Sequence, residues 1–127
     1  MIKVLSVFGT RPEAIKMCPV VKELEKREHI KSIVCLTGQH EEMLEPVMQI
    51  FQMSAKYNLH IMKTNQTLSM ITTNILTQLD RIYELEKPNL VLVHGDTSSS
   101  FAGALTAFYR NIPVGHVEAG LRTYNMK

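Results

Sequence analysis

Tryptophan is missing from this 127-residue chain, and cysteine occurs only twice. Cys18 and Cys35 lie in apolar stretches without CxxC spacing. That pattern speaks for buried free thiols over a disulfide or a metal site. No apolar run reaches the roughly 18 residues of a membrane span. The apolar start, Met1 to Phe8, is short and meets Gly9, Arg11, Pro12 and Glu13 at once. It reads as a first strand and not as a signal peptide, so a cytoplasmic protein is expected. An excess of one charge is lacking too: the formal net charge is +2. Lys and Arg form no basic stripe, and nothing points to nucleic acid. The dense run Lys22 to Lys31 alternates in sign, as a solvated helix face and turn would. His, Cys, Asp and Glu show no metal-ligand spacing, so no metal is expected.

The composition is 45% hydrophobic, enough for the core of one domain. The apolar pattern alternates between two periods. Ile2 to Phe8 is a β-branched run, hence a strand. Ala14, Met17, Cys18, Val21 and Leu24 recur at helical spacing. Ser32 to Thr37 is a strand again, and Met43, Leu44, Val47, Met48 and Phe51 mark a second helix face. Tyr57 to Met62 is a weaker extended segment. Leu68, Ile71, Ile75, Leu79, Ile82 and Leu85 give a long amphipathic helix that Pro88 closes. Leu90 to His94 is the most apolar strand. Ala102, Leu105 and Phe108 lie on the next helix, and Pro113 to Val117 form a last strand. This alternation predicts an α/β, doubly wound parallel sheet with helices on both faces, Rossmann-like. Past Val117 a glycine-containing loop runs to Thr123, with four residues after it. The expectation is a single domain over 1–127, cut before its final elements.

In such a sheet ligands bind at the carboxyl ends of the strands. Gly9-Thr10-Arg11-Pro12-Glu13 follows the first strand. Thr10 and Glu13 have capping-box spacing, and Pro12 suits a first helical turn. Gly9 allows a tight turn and close approach to a ligand. Open N–H groups and the helix dipole would favour an anion, and Arg11 adds a fork suited to phosphate. The plainer reading is a helix start with an incidental Arg. The loop is not GxGxxG, which disfavours a nicotinamide dinucleotide. Gly38-Gln39-His40 follows the second strand, where His40 is a ligand contact or a helix-capping residue. His94-Gly95-Asp96-Thr97 follows the strongest strand. Asp96 there is a general base, an acceptor for a sugar hydroxyl, or simply a cap, a role Thr97 shares. Ser98, Ser99 and Ser100 are candidates to cap the helix or to face a ligand. Glu118 ends the last strand, and two carboxylates facing one cleft push one pKa up, yielding an acid and a base. His116 reads first as a core histidine and second as a site residue. His29 and His60 read as surface.

Taken in order, Phe8 to Met17, Gly38-Gln39-His40 with Met43-Leu44, Val93 to Thr97, and Gly115 to Thr123 resemble the bacterial non-hydrolysing UDP-N-acetylglucosamine 2-epimerases. The resemblance runs the length of the chain, and its first and last motifs are specific. It implies the N-terminal half of a two-domain GT-B fold, with the C-terminal, UDP-binding domain absent here. It implies an isomerase that interconverts UDP-GlcNAc and UDP-ManNAc without a cofactor. UDP is expelled by anti elimination, 2-acetamidoglucal forms, and re-addition on the other face yields UDP-ManNAc. By resemblance Asp96 and Glu118 are the catalytic carboxylates. Arg11, Lys16, His94 and Arg122 belong to the substrate site. Gln39 and His40 match a region where UDP-GlcNAc binds as an activator. Glu42, Asn65 and Asn74 depart from the residues common in regulated members. The family also places a further catalytic Glu and a His beyond Lys127, so the chain alone would hold an incomplete set. Homodimers are expected, as is a role in cell-wall polysaccharide synthesis. Other classes stay open: a non-catalytic nucleotide-sugar-binding or dimerisation module, a hydrolysing epimerase, or a GT-B glycosyltransferase.

Overall fold

The computed structural model describes residues 1–38, 41–61 and 65–117, the side chains at 41 and 42 apart. Strands and helices alternate along them: β1 (Ile2–Phe8), α1 (Arg11–Glu25), β2 (Ile30–Leu36), α2 (Glu41–Ile50), β3 (Tyr57–Asn58), α3 (Leu68–Glu86), β4 (Leu90–His94), α4 (Ser98–Tyr109) and β5 (Val114–Val117). The strands pair in parallel in the order β3-β2-β1-β4-β5. This is the doubly wound sheet expected. β1 lies in the middle. The chain builds outward through β2 and β3, then crosses to β4 and β5 on the other side. The order therefore reverses between β1 and β4, and a crevice opens there at the strand ends.

Side chains alternate across the sheet, as the two-residue period of a strand requires. Val4 and Phe8 pack with Met17, Val21, Leu44 and Val47 of α1 and α2. Leu5 and Val7 point the other way, to Ile75, Leu79, Tyr83 and Ala102 of α3 and α4. Both faces are covered, which is why the strands read as continuously apolar. α3 starts at the N-cap Thr67 and stops at Lys87, whose φ of 50° leaves the helix just before Pro88.

Several expectations need correction. Met43, Leu68 and Leu85 are exposed. Leu68 and Leu85 sit in the terminal turns of α3, and Met43 lies on the flank of the buried α2 stripe of Leu44, Val47 and Met48. The strand expected over Tyr57 to Met62 is regular only at Tyr57–Asn58. Asn58 Oδ1 accepts from His60 N (2.9 Å), and His60 takes a φ of 51°. The pairing still continues, because Leu59 N and Ile61 N donate to the Leu36 and Thr37 carbonyls. Among the described residues His116 is exposed on β5, the last strand in the order, and is not a core histidine there.

The readings of the two cysteines and of the charged run fit. Cys18 and Cys35 are free and buried. Burial pushes the first thiol up to about 11 and the second up to about 12. The alternating charges from Lys22 onward form exposed pairs such as Arg27 with Glu23 at 3.0 Å.

One charge is buried far from the crevice. Glu86, at the end of α3, is 4% exposed and meets Lys56 Nζ at 2.7 Å and Lys3 Nζ at 3.2 Å. The Tyr57 hydroxyl also donates to it. Burial alone would raise the carboxyl. Hydrogen bonds from Lys56, Tyr57 and Lys3, with the charge of Lys56, outweigh that and hold it at about 2. A carboxyl depressed by folding stabilises above its unfolded pKa, and that stability disappears as pH falls through the folded one. Glu86→Gln should therefore be less stable than the parent at neutral pH. The gap should close between about pH 5 and pH 2, as urea unfolding at a series of pH values would show. A gap independent of pH would contradict this account.

Candidate functional site

The crevice between β1 and β4 is bordered by two loop-to-helix turns. In the first, α1 begins at a capping box: Thr10 Oγ1 accepts from Glu13 N, and the Glu13 carboxylate accepts from Thr10 N. Pro12 occupies the first turn, where no N–H is needed. The expectation of open amides narrows here. Gly9 N and Thr10 N both donate to Glu13 Oε1, at 2.8 and 3.0 Å. The turn thus offers an anion chiefly the exposed side chain of Arg11.

No side chain fits at Gly9 unless its neighbours shift. A Cβ there would stand 1.9 Å from Thr37 Oγ1 and 2.8 Å from Ser99 Oγ. Those two buried hydroxyls bond each other at 2.7 Å beneath the loop.

In the second turn the question of the cap is settled. Thr97 is the N-cap of α4, and its side chain accepts from Ser100 N at 3.2 Å. Asp96 is not the cap. It is exposed, and its carboxylate takes no hydrogen bond from a described residue. The serines divide: Ser99 and Ser100 are buried in structural bonds, while Ser98 is half-buried. His94 ends β4 and is half-buried. Its carbonyl accepts from the Ser100 hydroxyl, and its buried Nδ1 has no partner among the described residues.

The two turns are joined by Glu13, 2% exposed, whose Oε2 takes the Thr97 hydroxyl and lies 3.1 Å from Ser100 Oγ. Arg11 and Asp96 are therefore each one residue from a group bonded to the same carboxylate, Thr10 on one side and Thr97 on the other. Lys16 does not join Arg11. It is exposed on α1, but five residues on, roughly 140° around the helix. Glu118, Arg122, Gln39 and His40 lie outside the described residues. β5 ends at Val117 opposite His94, one residue before Glu118 in the sequence.

Sequence reasoning missed the linking role of Glu13 and the seam of Thr37, Thr97, Ser99 and Ser100. Capping-box spacing revealed half of the Glu13 environment; the partners from α4 are 84 and 87 residues away. Among the described residues no group of three or more His, Cys, Asp or Glu is placed to hold a metal. No described helix is long and apolar enough to cross a membrane.

Comparison with known proteins places this geometry. A family model for UDP-N-acetylglucosamine 2-epimerase matches residues 22–127. The UDP-N-acetylglucosamine 2-epimerase of Neisseria meningitidis serogroup A is 60% identical over 124 residues, 98% of this chain and 33% of its own length. A crystal structure of the Neisseria meningitidis enzyme bound to UDP-GlcNAc superposes with a TM-score of 0.89, at 60% identity, over 98% of this chain and 34% of that one. The Methanocaldococcus jannaschii UDP-GlcNAc 2-epimerase in complex with UDP-GlcNAc and UDP gives 0.86 at 39% identity, over 95% and 33%. This chain thus spans about a third of the length of the relatives it matches. Its structural neighbours are GT-B epimerases and glycosyltransferases. From the residues matched and the sheet they form, the chain belongs to the UDP-N-acetylglucosamine 2-epimerase family.

Proposed function

We propose that the protein carrying this chain is a non-hydrolysing epimerase that interconverts UDP-GlcNAc and UDP-ManNAc. The observation that carries the reading is Asp96: an exposed carboxylate at the switch point, relieved of capping by Thr97, with Arg11 on the adjoining turn. A proton at sugar carbon 2 leaves to a carboxylate as the bond from carbon 1 to UDP breaks. 2-Acetamidoglucal and UDP stay bound; UDP then rejoins carbon 1 as a proton is delivered to the opposite face of carbon 2, which gives the epimer. General acid–base groups and a cation near the departing diphosphate serve those steps. In this reading Asp96 and Glu118 handle the protons. Arg11, Lys16, His94 and Arg122 hold the nucleotide sugar, and Gln39 and His40 belong to an activator site.

The 127 residues belong to the N-terminal domain of the pair, and a second, UDP-binding domain lies in the part of the relatives not matched here. Cytoplasmic location, homodimers and cell-wall polysaccharide synthesis complete the proposal. Exposed Leu68, Met70 and Leu85 on α3, with Phe101, Phe108 and Tyr109 on α4, support the dimer.

Solvent exchange tests the reaction. UDP-GlcNAc is incubated in deuterated water with the full-length protein. Deuterium at carbon 2 of UDP-linked sugars is expected. Free N-acetylmannosamine would assign the hydrolysing reaction instead. The 127 residues alone should give neither, and epimerisation by them would overturn the two-domain reading.

A further inference from the structure

We propose that Glu13 is a positioning residue of this site, which fixes the turn carrying Arg11 against the turn carrying Asp96. The inference rests on the functional reading above. It starts from a division of labour between two oxygens. Oε1 takes Gly9 N and Thr10 N, at 2.8 and 3.0 Å. That much is the ordinary work of a capping box, and it is local. Oε2 does something a cap does not require. It accepts the Thr97 hydroxyl and lies 3.1 Å from Ser100 Oγ, both at the start of α4. A capping glutamate is usually at the surface; this one is 2% exposed.

Burying a carboxylate is costly unless its acceptors are filled. Here one side is filled by each turn, so neither turn can shift without leaving the charge unsatisfied. Thr97 is the pivot. Its hydroxyl donates to Glu13 and its oxygen accepts from Ser100 N. Ser100 Oγ has one proton for two acceptors, Glu13 Oε2 and the His94 carbonyl. The chain therefore runs from Gly9 through Glu13 and Thr97 to the end of β4, and Asp96 is next to Thr97 within it. A reacting group displaced by about 1 Å loses on the order of 100-fold in rate, so a link of this kind acts on turnover before it acts on binding.

The test uses the full-length protein, with Thr97→Val, Thr97→Ser, Ser100→Ala and Glu13→Gln. Two quantities are read: kcat and KM for UDP-GlcNAc, and hydrogen exchange at the Gly9 and Thr10 amides by mass spectrometry. Thr97→Val should lower kcat by about 10- to 100-fold while KM changes less than about threefold. It should also raise exchange at Gly9 and Thr10 at least tenfold, although those amides do not touch Thr97. Thr97→Ser keeps the hydroxyl and should recover most of both losses. Glu13→Gln should match or exceed Thr97→Val. If Thr97→Val does not fold, Ser100→Ala decides with the same two readouts. A fall in kcat without faster exchange at Gly9 and Thr10 would overturn the proposal, because Thr97 would then be acting on its own. Faster exchange with parental kcat would overturn it too, because the link would be structural only. A parent protein with no turnover would defeat the functional reading instead, and the exchange result alone would then decide whether the two turns are linked.

Discussion

Asp96→Asn in the full-length protein should lose at least about 100-fold in epimerisation rate while its stability stays within about 0.5 kcal/mol of the parent. The two halves of that expectation come from the same geometry. A carboxylate that caps a helix costs roughly 1 kcal/mol to remove. Asp96 is not a cap, because Thr97 takes that place and bonds Ser100 N. Asp96 is exposed and takes no hydrogen bond from a described residue. Removing its charge therefore disturbs nothing in the fold, and any lost turnover is lost chemistry. The measurement is kcat for both directions of epimerisation, beside urea unfolding of the same preparations. Near-parental activity would remove Asp96 from the mechanism. A matching loss of stability would recast it as structural. Glu118→Gln is expected to be as damaging to rate, on the strength of its proposed partnership with Asp96.

The largest effect on stability is expected at Gly38. Its φ is 84°, and a Cβ added there would stand 2.7 Å from the backbone N and Cα of His60. The left-handed conformation costs a residue with a Cβ about 1–2 kcal/mol. The clash adds about 1–3 kcal/mol more, as overpacking does elsewhere. The obstacle is backbone, and Ile61 N is already bonded to the Thr37 carbonyl, so the neighbour has little room to yield. Gly38→Ala should thus lose about 3 kcal/mol or more, a large share of a marginal stability. Gly9→Ala meets side-chain oxygens in place of backbone. Its loss should be the smaller of the two, because Thr37 and Ser99 can rotate at the expense of their mutual bond. Urea midpoints of the three proteins test the ranking. A loss under about 1 kcal/mol at Gly38 would show that the loop after β2 gives way.

Much of this architecture was legible in the residues. Periodicity alone separates Ile2–Phe8 from the helix that follows, and five apolar runs alternating with four helical ones leave few alternatives to a parallel sheet. Elements failed where a local bond overrode the pattern, as when Asn58 and His60 turned the third strand after two residues. His116 failed for another reason: periodicity does not say which positions of a strand its neighbours cover. For the site, the carboxyl ends of the strands point to Arg11 and Asp96, but spacing alone does not choose between Asp96 and Thr97 for the cap, which the fold gives to Thr97. Glu13 looked like a cap because its near partners are three and four residues away. Its far partners come from α4, and no local spacing encodes them.

The strand order has a consequence for biosynthesis. β1 is made first yet sits at the centre of the sheet, and Lys3 N ends on a side chain 86 residues later, Asn89 Oδ1. At about 5–20 residues per second, β4 emerges some 4–17 s after β1. For that interval the β1–β2 pair has one naked flank, an apolar strand with open hydrogen-bonding groups. Until β4 clears the ribosome, a nascent chain thus presents this flank to a chaperone.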